Sequence, residues 1–145
     1  MTLGDRTAEA MATWLAGKLS ETTVNNRIEE GRTTEANTRA IVETTSCEQR
    51  APHLRHVFNL SGQIILRQSV DDADGGETVF RARCQEIRNA LRDSELVRDE
   101  VMANDQRLHI YPRSFHADSQ SEGSGKRGFQ AIYEWRAVAR DNPNS

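Results

Sequence analysis

Gly123, Ser124, Gly125 and Lys126 have the residue types of a phosphate-binding loop, in which glycines bring backbone amides close to phosphate oxygens and a lysine neutralises them. The full pattern also needs a glycine five positions before Gly125 and a serine or threonine after Lys126. Gln120 and Arg127 stand there instead. The segment leads into a strand pattern, so no helix N-terminus follows to hold a phosphate. It reads as a hairpin tip.

Asp72, Asp74, Gly75 and Gly76 resemble the start of a calcium loop, but Gly76 falls at its fifth position and Arg83 at its twelfth, where a bidentate glutamate is required. Asp74 with Glu77 three residues on reads better as a capping box opening a helix. The histidines are His53, His56, His109 and His116, with Cys47 as a further donor. His109 and His116 are seven apart and would lie on opposite faces of one continuous strand, whereas a metal needs convergent ligands. No nucleophile elbow of the GxSxG kind is present. We therefore expect no catalytic, metal or cofactor site, and no enzyme.

The elements that would position any working surface follow from periodicity. Ala8, Met11, Ala12, Leu15 and Leu19, with Trp14 beside them, recur at helical spacing over residues 5–20. Residues 21–39 are polar and read as a long excursion, with a weak strand around 24–29. Residues 40–46 are β-rich, and 48–55 with Pro52 form a connection. From 55 to 69 the chain alternates: Phe58, Leu60, Gly62, Ile64 and Leu66 share one face, and Asn59, Ser61, Gln63, Ile65 and Arg67 the other, with a bulge expected at Ser61 and Gly62.

Phe80, Cys84, Ile87 and Leu91 mark a second helix. A break at Asp93 and Ser94 precedes a shorter helical stretch bearing Leu96, Val97, Val101 and Met102. Residues 107–116 read as a strand that Pro112 places at an edge or interrupts. Residues 118–128 are Gly/Ser-rich and read as a flexible hairpin loop. Its candidate contact residues are Ser119, Ser121, Ser124, Lys126 and Arg127, the last two able to engage acidic groups. Phe129, Ala131, Tyr133, Trp135 and Ala137 then alternate with Gln130, Ile132, Glu134, Arg136 and Val138 in a closing strand, and residues 141–145 read as a frayed tail. The expected order is α-β-β-α-β-β, a single α+β domain over 1–145 with a mixed or antiparallel sheet packed against helices.

A length of 145 residues fits one domain. A net charge of −3 is unlike the basic footprint of a nucleic-acid binder, so direct nucleic-acid binding is not expected. No apolar stretch approaches the ~20 residues of a membrane span, and no export signal is expected. Lys18 and Lys126 are the only lysines among 19 basic residues, leaving arginines that are suited to rim salt bridges between subunits as well as to a solvated surface. The two cysteines are expected as reduced intracellular thiols, with Cys84 in the core.

This layout resembles the tail-terminator and head–tail joining proteins of long-tailed bacteriophages. The resemblance is carried by the opening helix around residues 12–16, the strand His56–Gln68, the acidic turn feeding the helix Val79–Leu91, and the closing strand from Gly128 to Val138. It implies a structural virion protein of the tail or neck, assembled in the host cytoplasm. Such a protein forms a homo-oligomeric ring, typically a hexamer, at the head-proximal end of the tail tube, and its partners are tail-tube and head connector proteins. A head–tail connector or tail-tube subunit is a close alternative. A small intracellular ligand-binding α+β domain or enzyme is the alternative of another class.

Overall fold

The computed structural model describes residues 3–19, 22–25, 38–51, 56–69, 76–105, 108–110, 116–125 and 128–141. In chain order the elements are α1 (Leu3–Ala16), β1 (Thr23–Asn25), β2 (Thr38–Gln49), β3 (Val57–Ser69), α2 (Gly76–Leu91), α3 (Ser94–Met102), β4 (Leu108–Ile110), β5 (His116–Gly125) and β6 (Gly128–Asp141). The class is α+β, as expected. The order α-β-β-α-β-β captures only part of it, because short β1, the separate α3 and strand β5 add to that scheme.

Strands run β1-β2-β3-β6-β4 across one sheet, with β5 also paired to β6. The pairings are antiparallel except for β1 with β2. β6 is the axis of the sheet. It pairs with β3 along one side, while β5 and β4 follow one another along its other side, opposite Gly128–Arg136 and Ala139–Asp141 respectively. Of the single strand expected over 107–116, residues 108–110 form β4 and His116 opens β5, while 107 and 111–115, Pro112 among them, lie outside the described residues.

The helices cover one face. Alternation places Ala40 and Val42 of β2, Leu60, Ile64 and Leu66 of β3, and Ala131, Tyr133, Trp135, Ala137 and Ala139 of β6 in the same core as the helices. From the helices come Met11, Trp14 and Leu15 of α1, Phe80, Cys84, Ile87 and Leu91 of α2, and Val97 and Val101 of α3. The four-three-four spacing of α2 is therefore a core stripe. Phe80 stacks on Phe129 with centroids 5.4 Å apart, joining the start of α2 to the start of β6.

The irregularity between β2 and β3 lies on the strand opposite the expected one. Thr44 pairs with Gly62 and Ser46 with Ser61, so the extra residue, Thr45, belongs to β2, while β3 keeps unbroken register with β6 from Val57 to Ser69. Gly62 has a packing reason: a Cβ there would overlap the Trp135 ring and the Glu43 carbonyl oxygen. Trp135, directly opposite Gly62 in register, fills the space that a side chain would take.

Polar ties fix α1 against the turn that follows α3. Arg6 Nε donates to Asp105 Oδ2 at 3.2 Å and its Nη2 to Oδ1 at 3.3 Å, a two-point guanidinium–carboxylate contact. Asn104 Nδ2 donates to the Ala10 carbonyl at 3.2 Å. α3 begins where the break at Asp93 was expected, with the Asp93 carboxylate accepting from the Glu95 and Leu96 amides. Asp74, the expected cap of α2, lies outside the described residues.

Candidate functional site

The serines expected in a flexible loop are in a strand. Ser119 pairs with Glu134, Ser121 with Ile132 and Ser124 with Phe129, all within β5, and Gly125 pairs with Gly128 to leave a two-residue connection. The loop assignment is corrected accordingly for 118–125, which lie in β5, and for Gly128, which opens β6. Gly/Ser composition is a weak argument against a strand when a long partner such as β6 offers backbone hydrogen bonds along its length, because strand formation is governed by its neighbours. Gly128 adopts φ 144°, a conformation reserved for glycine, at the start of β6. Lys126 and Arg127 lie outside the described residues. Asp141, expected in the frayed tail, is the last residue of β6.

Among the described residues, no three His, Cys, Asp or Glu side chains gather to hold a metal ion. His109 pairs in backbone register with Arg140 and His116 with Arg136, on two separate strands rather than one. His53 lies outside the described residues. Cys84 is buried and Cys47 exposed, neither in a disulfide. Desolvation raises the Cys47 thiol above its ordinary pKa, partly opposed by a hydrogen bond with the Gly4 backbone. A raised thiol is mostly protonated near neutral pH, which disfavours it as a nucleophile.

The most organised polar feature near the helices joins Trp14, Lys18 and Glu100. Trp14 Nε1 donates to Glu100 Oε2 at 2.9 Å, and Lys18 Nζ stands 2.9 Å from the same oxygen. The hydrogen bond from Lys18, then that from Trp14, holds the Glu100 carboxyl below the ordinary range against an opposing desolvation effect. This arrangement tethers two helices. Several arginines are likewise used within the chain, Arg6 with Asp105, Arg83 with Glu86 and Arg98 with Asp99.

What remains is the sheet surface turned away from the helices. Opposed residues on paired strands share a face, so the register assigns to it Arg39, Ile41 and Glu43 of β2, Ser61, Gln63, Ile65 and Arg67 of β3, and Gln130, Ile132, Glu134 and Arg136 of β6. The sequence reading separated these β3 and β6 residues from the core set. It could not align them, because register between strands more than 60 residues apart is not a local property. β3 spans 13 residues, about 40 Å at the usual rise, so the surface is long. Arg67 Nε donates to Gln130 Oε1 at 3.2 Å across it, and Gln63 Nε2 donates to Glu43 Oε1.

No helix among the described residues is long and apolar enough to cross a membrane. Compared with known protein families and with characterised proteins, the chain matches none of them.

Proposed function

We propose that the protein is a structural assembly subunit of a phage-like tail, acting as a terminator: a homo-oligomeric ring, hexameric by resemblance, at the head-proximal end of the tail tube. Its partners in this reading are further copies of itself, the tail-tube protein and the head connector, and its location is the virion tail or neck after assembly in the host cytoplasm. The observation that supports it is the one-sided sheet. Helices occupy one face, and the residues of β2, β3 and β6 that point to the other face are mostly polar or charged, as suits a protein that works through surfaces. The ring requires head-to-tail contacts that close on themselves.

Electron microscopy of tails assembled with a tagged copy tests this. One ring at the head-proximal end is the expected result, and tails made without the protein should lose length control or head joining. Copies spread along the tube would identify a tube subunit, and copies on heads without tails a connector. Normal tails in its absence would return the protein to the class of ligand-binding domains and enzymes.

A further inference from the structure

The consecutive helices α2 and α3 turn opposite charges to solvent. At about 100° per residue, Arg81, Arg88 and Arg92 fall within about 40° of one another around the axis of α2, so they form one row along its side. Arg92 continues the row just past the helix, its amide still donating to the Asn89 carbonyl at 3.4 Å. Gln85 lies in the same row, donating to Asn89 at 2.8 Å and accepting from Arg88 at 3.0 Å. Arg81 and Arg92 are exposed and Arg88 is half-buried, and no carboxylate interrupts the exposed positions 78, 81, 82, 85, 89 and 92. Glu86 is paired instead with Arg83 at 3.4 Å, away from the row.

α3 presents the reverse charge. Glu95 and Asp99 are exposed one turn apart on the side opposite buried Val97 and Val101, with Leu96, 51% exposed, beside them. Asp99 is paired with Arg98 at 2.9 Å and still keeps 65% of its side chain exposed. Among the described residues, the side chains of Arg92 and Glu95 enter no ion pair, although they are close in sequence.

We propose that the arginine row of α2 docks on the acidic face of α3 in a second copy of the same chain, as the head-to-tail contact through which the ring closes; the inference rests on the ring reading above. Arg88 and Arg92 stand one turn apart, about 6 Å along the axis, and so do Glu95 and Asp99, so two guanidinium groups can face two carboxylates in register. Leu96 gives the contact an apolar centre. α2 against α2 would set arginine on arginine, and α3 against α3 carboxylate on carboxylate, and like charges so opposed repel. The charge pattern therefore selects two different surfaces, which is the requirement of a heterologous contact.

α3 has 9 residues and is about 14 Å long, so one such contact falls short of the roughly 800 Å² per partner of a stable pair. A single contact is weak and sensitive to salt. In a closed ring each copy makes two of them, and the last to form joins ends already held at high effective concentration. Assembly therefore runs from monomer to ring with little dimer between.

Sedimentation velocity of the full chain, from micromolar to millimolar at low salt, tests the proposal. The parent should form a species larger than a dimer. Arg88→Glu with Arg92→Glu, and separately Glu95→Lys with Asp99→Lys, should each weaken that assembly by about tenfold or more, with circular dichroism checking that both variants are folded. Mixing the two variants should restore assembly, because each then offers the charge the other lacks. One chain carrying all four substitutions, whose net charge equals the parent's, should assemble as well. A parent that stays monomeric or stops at dimers, variants that assemble like the parent, or failure of either rescue would each overturn the contact. Rings formed equally well at tail ends by the variant with Arg88→Glu and Arg92→Glu would overturn the contact and leave the terminator reading standing. A parent absent from tail ends that still shows charge-dependent assembly in solution would sink that reading and keep the contact.

Discussion

Trp14 and Glu100 are joined at 2.9 Å across 86 positions of sequence, a tie between α1 and α3 that adds to the Arg6–Asp105 and Asn104–Ala10 contacts. Lys18 shares the same carboxylate. The folded Glu100 pKa is lowered first by Lys18 and further by Trp14. A carboxyl with a folded pKa below its unfolded value contributes stability that is present above the unfolded value and lost as pH falls through the folded one. The stability gap between the parent and Glu100→Gln should therefore be present near neutral pH and close under acid. Urea melts across that pH range check it, and a gap that widens in acid would contradict the assignment.

Ile87 is fully buried under the sheet, midway along the α2 stripe. Ile87→Ala should cost about 2–5 kcal/mol in denaturant melts, the range for removing a large buried side chain. A loss below about half a kcal/mol, far outside that range, would mean that the stripe does not face the core.

Gly62 admits no side chain beside Trp135 and the Glu43 carbonyl. Gly62→Ala should destabilise by about 1–3 kcal/mol through overpacking. A Trp135→Leu background should relieve part of that cost, because the ring supplies much of the obstruction. Non-additivity in thermal melts of the single and double variants is the measurement.

Cutting residues 119–125 down to a two-residue turn would be nearly silent in a passive loop. In β5 it removes most of the register with β6. We expect a loss of at least about 2 kcal/mol, summed over several cross-strand pairs. A variant that melts like its parent would restore the loop description.

The helices were the most legible elements. Met11, Leu15, Phe80, Cys84, Ile87 and Leu91 are all buried, as their spacing implied, because helical periodicity is written within a single turn or two. The alternation in 55–69 and 129–138 likewise yielded β3 and β6 with the correct inward faces. β5 was hidden by its Gly/Ser composition, which reports on local preference and says nothing of the neighbour that overrides it. The bulge was expected at Ser61 and Gly62, whereas the extra residue is Thr45 on the facing strand. Ile41, Ile65 and Ile132, which stand opposite one another across β2, β3 and β6, are far apart in sequence, and Ile41 was read only as part of a β-rich stretch.

β6 joins β3 on one side and both β4 and β5 on the other, yet it occupies residues 128–141. During synthesis the β2–β3 hairpin and helices α1, α2 and α3 emerge from the ribosome before the strand that completes their sheet. At roughly 5–20 residues per second, the inner edge of β3 stays unpaired for several seconds after Ser69 is made. The side chains Leu60, Ile64 and Leu66 must wait as long for their neighbours Ala137, Tyr133 and Ala131. Final closure is therefore a late, long-range event. A nascent chain stalled before residue 128 would present that open edge to chaperones or to other unfinished copies.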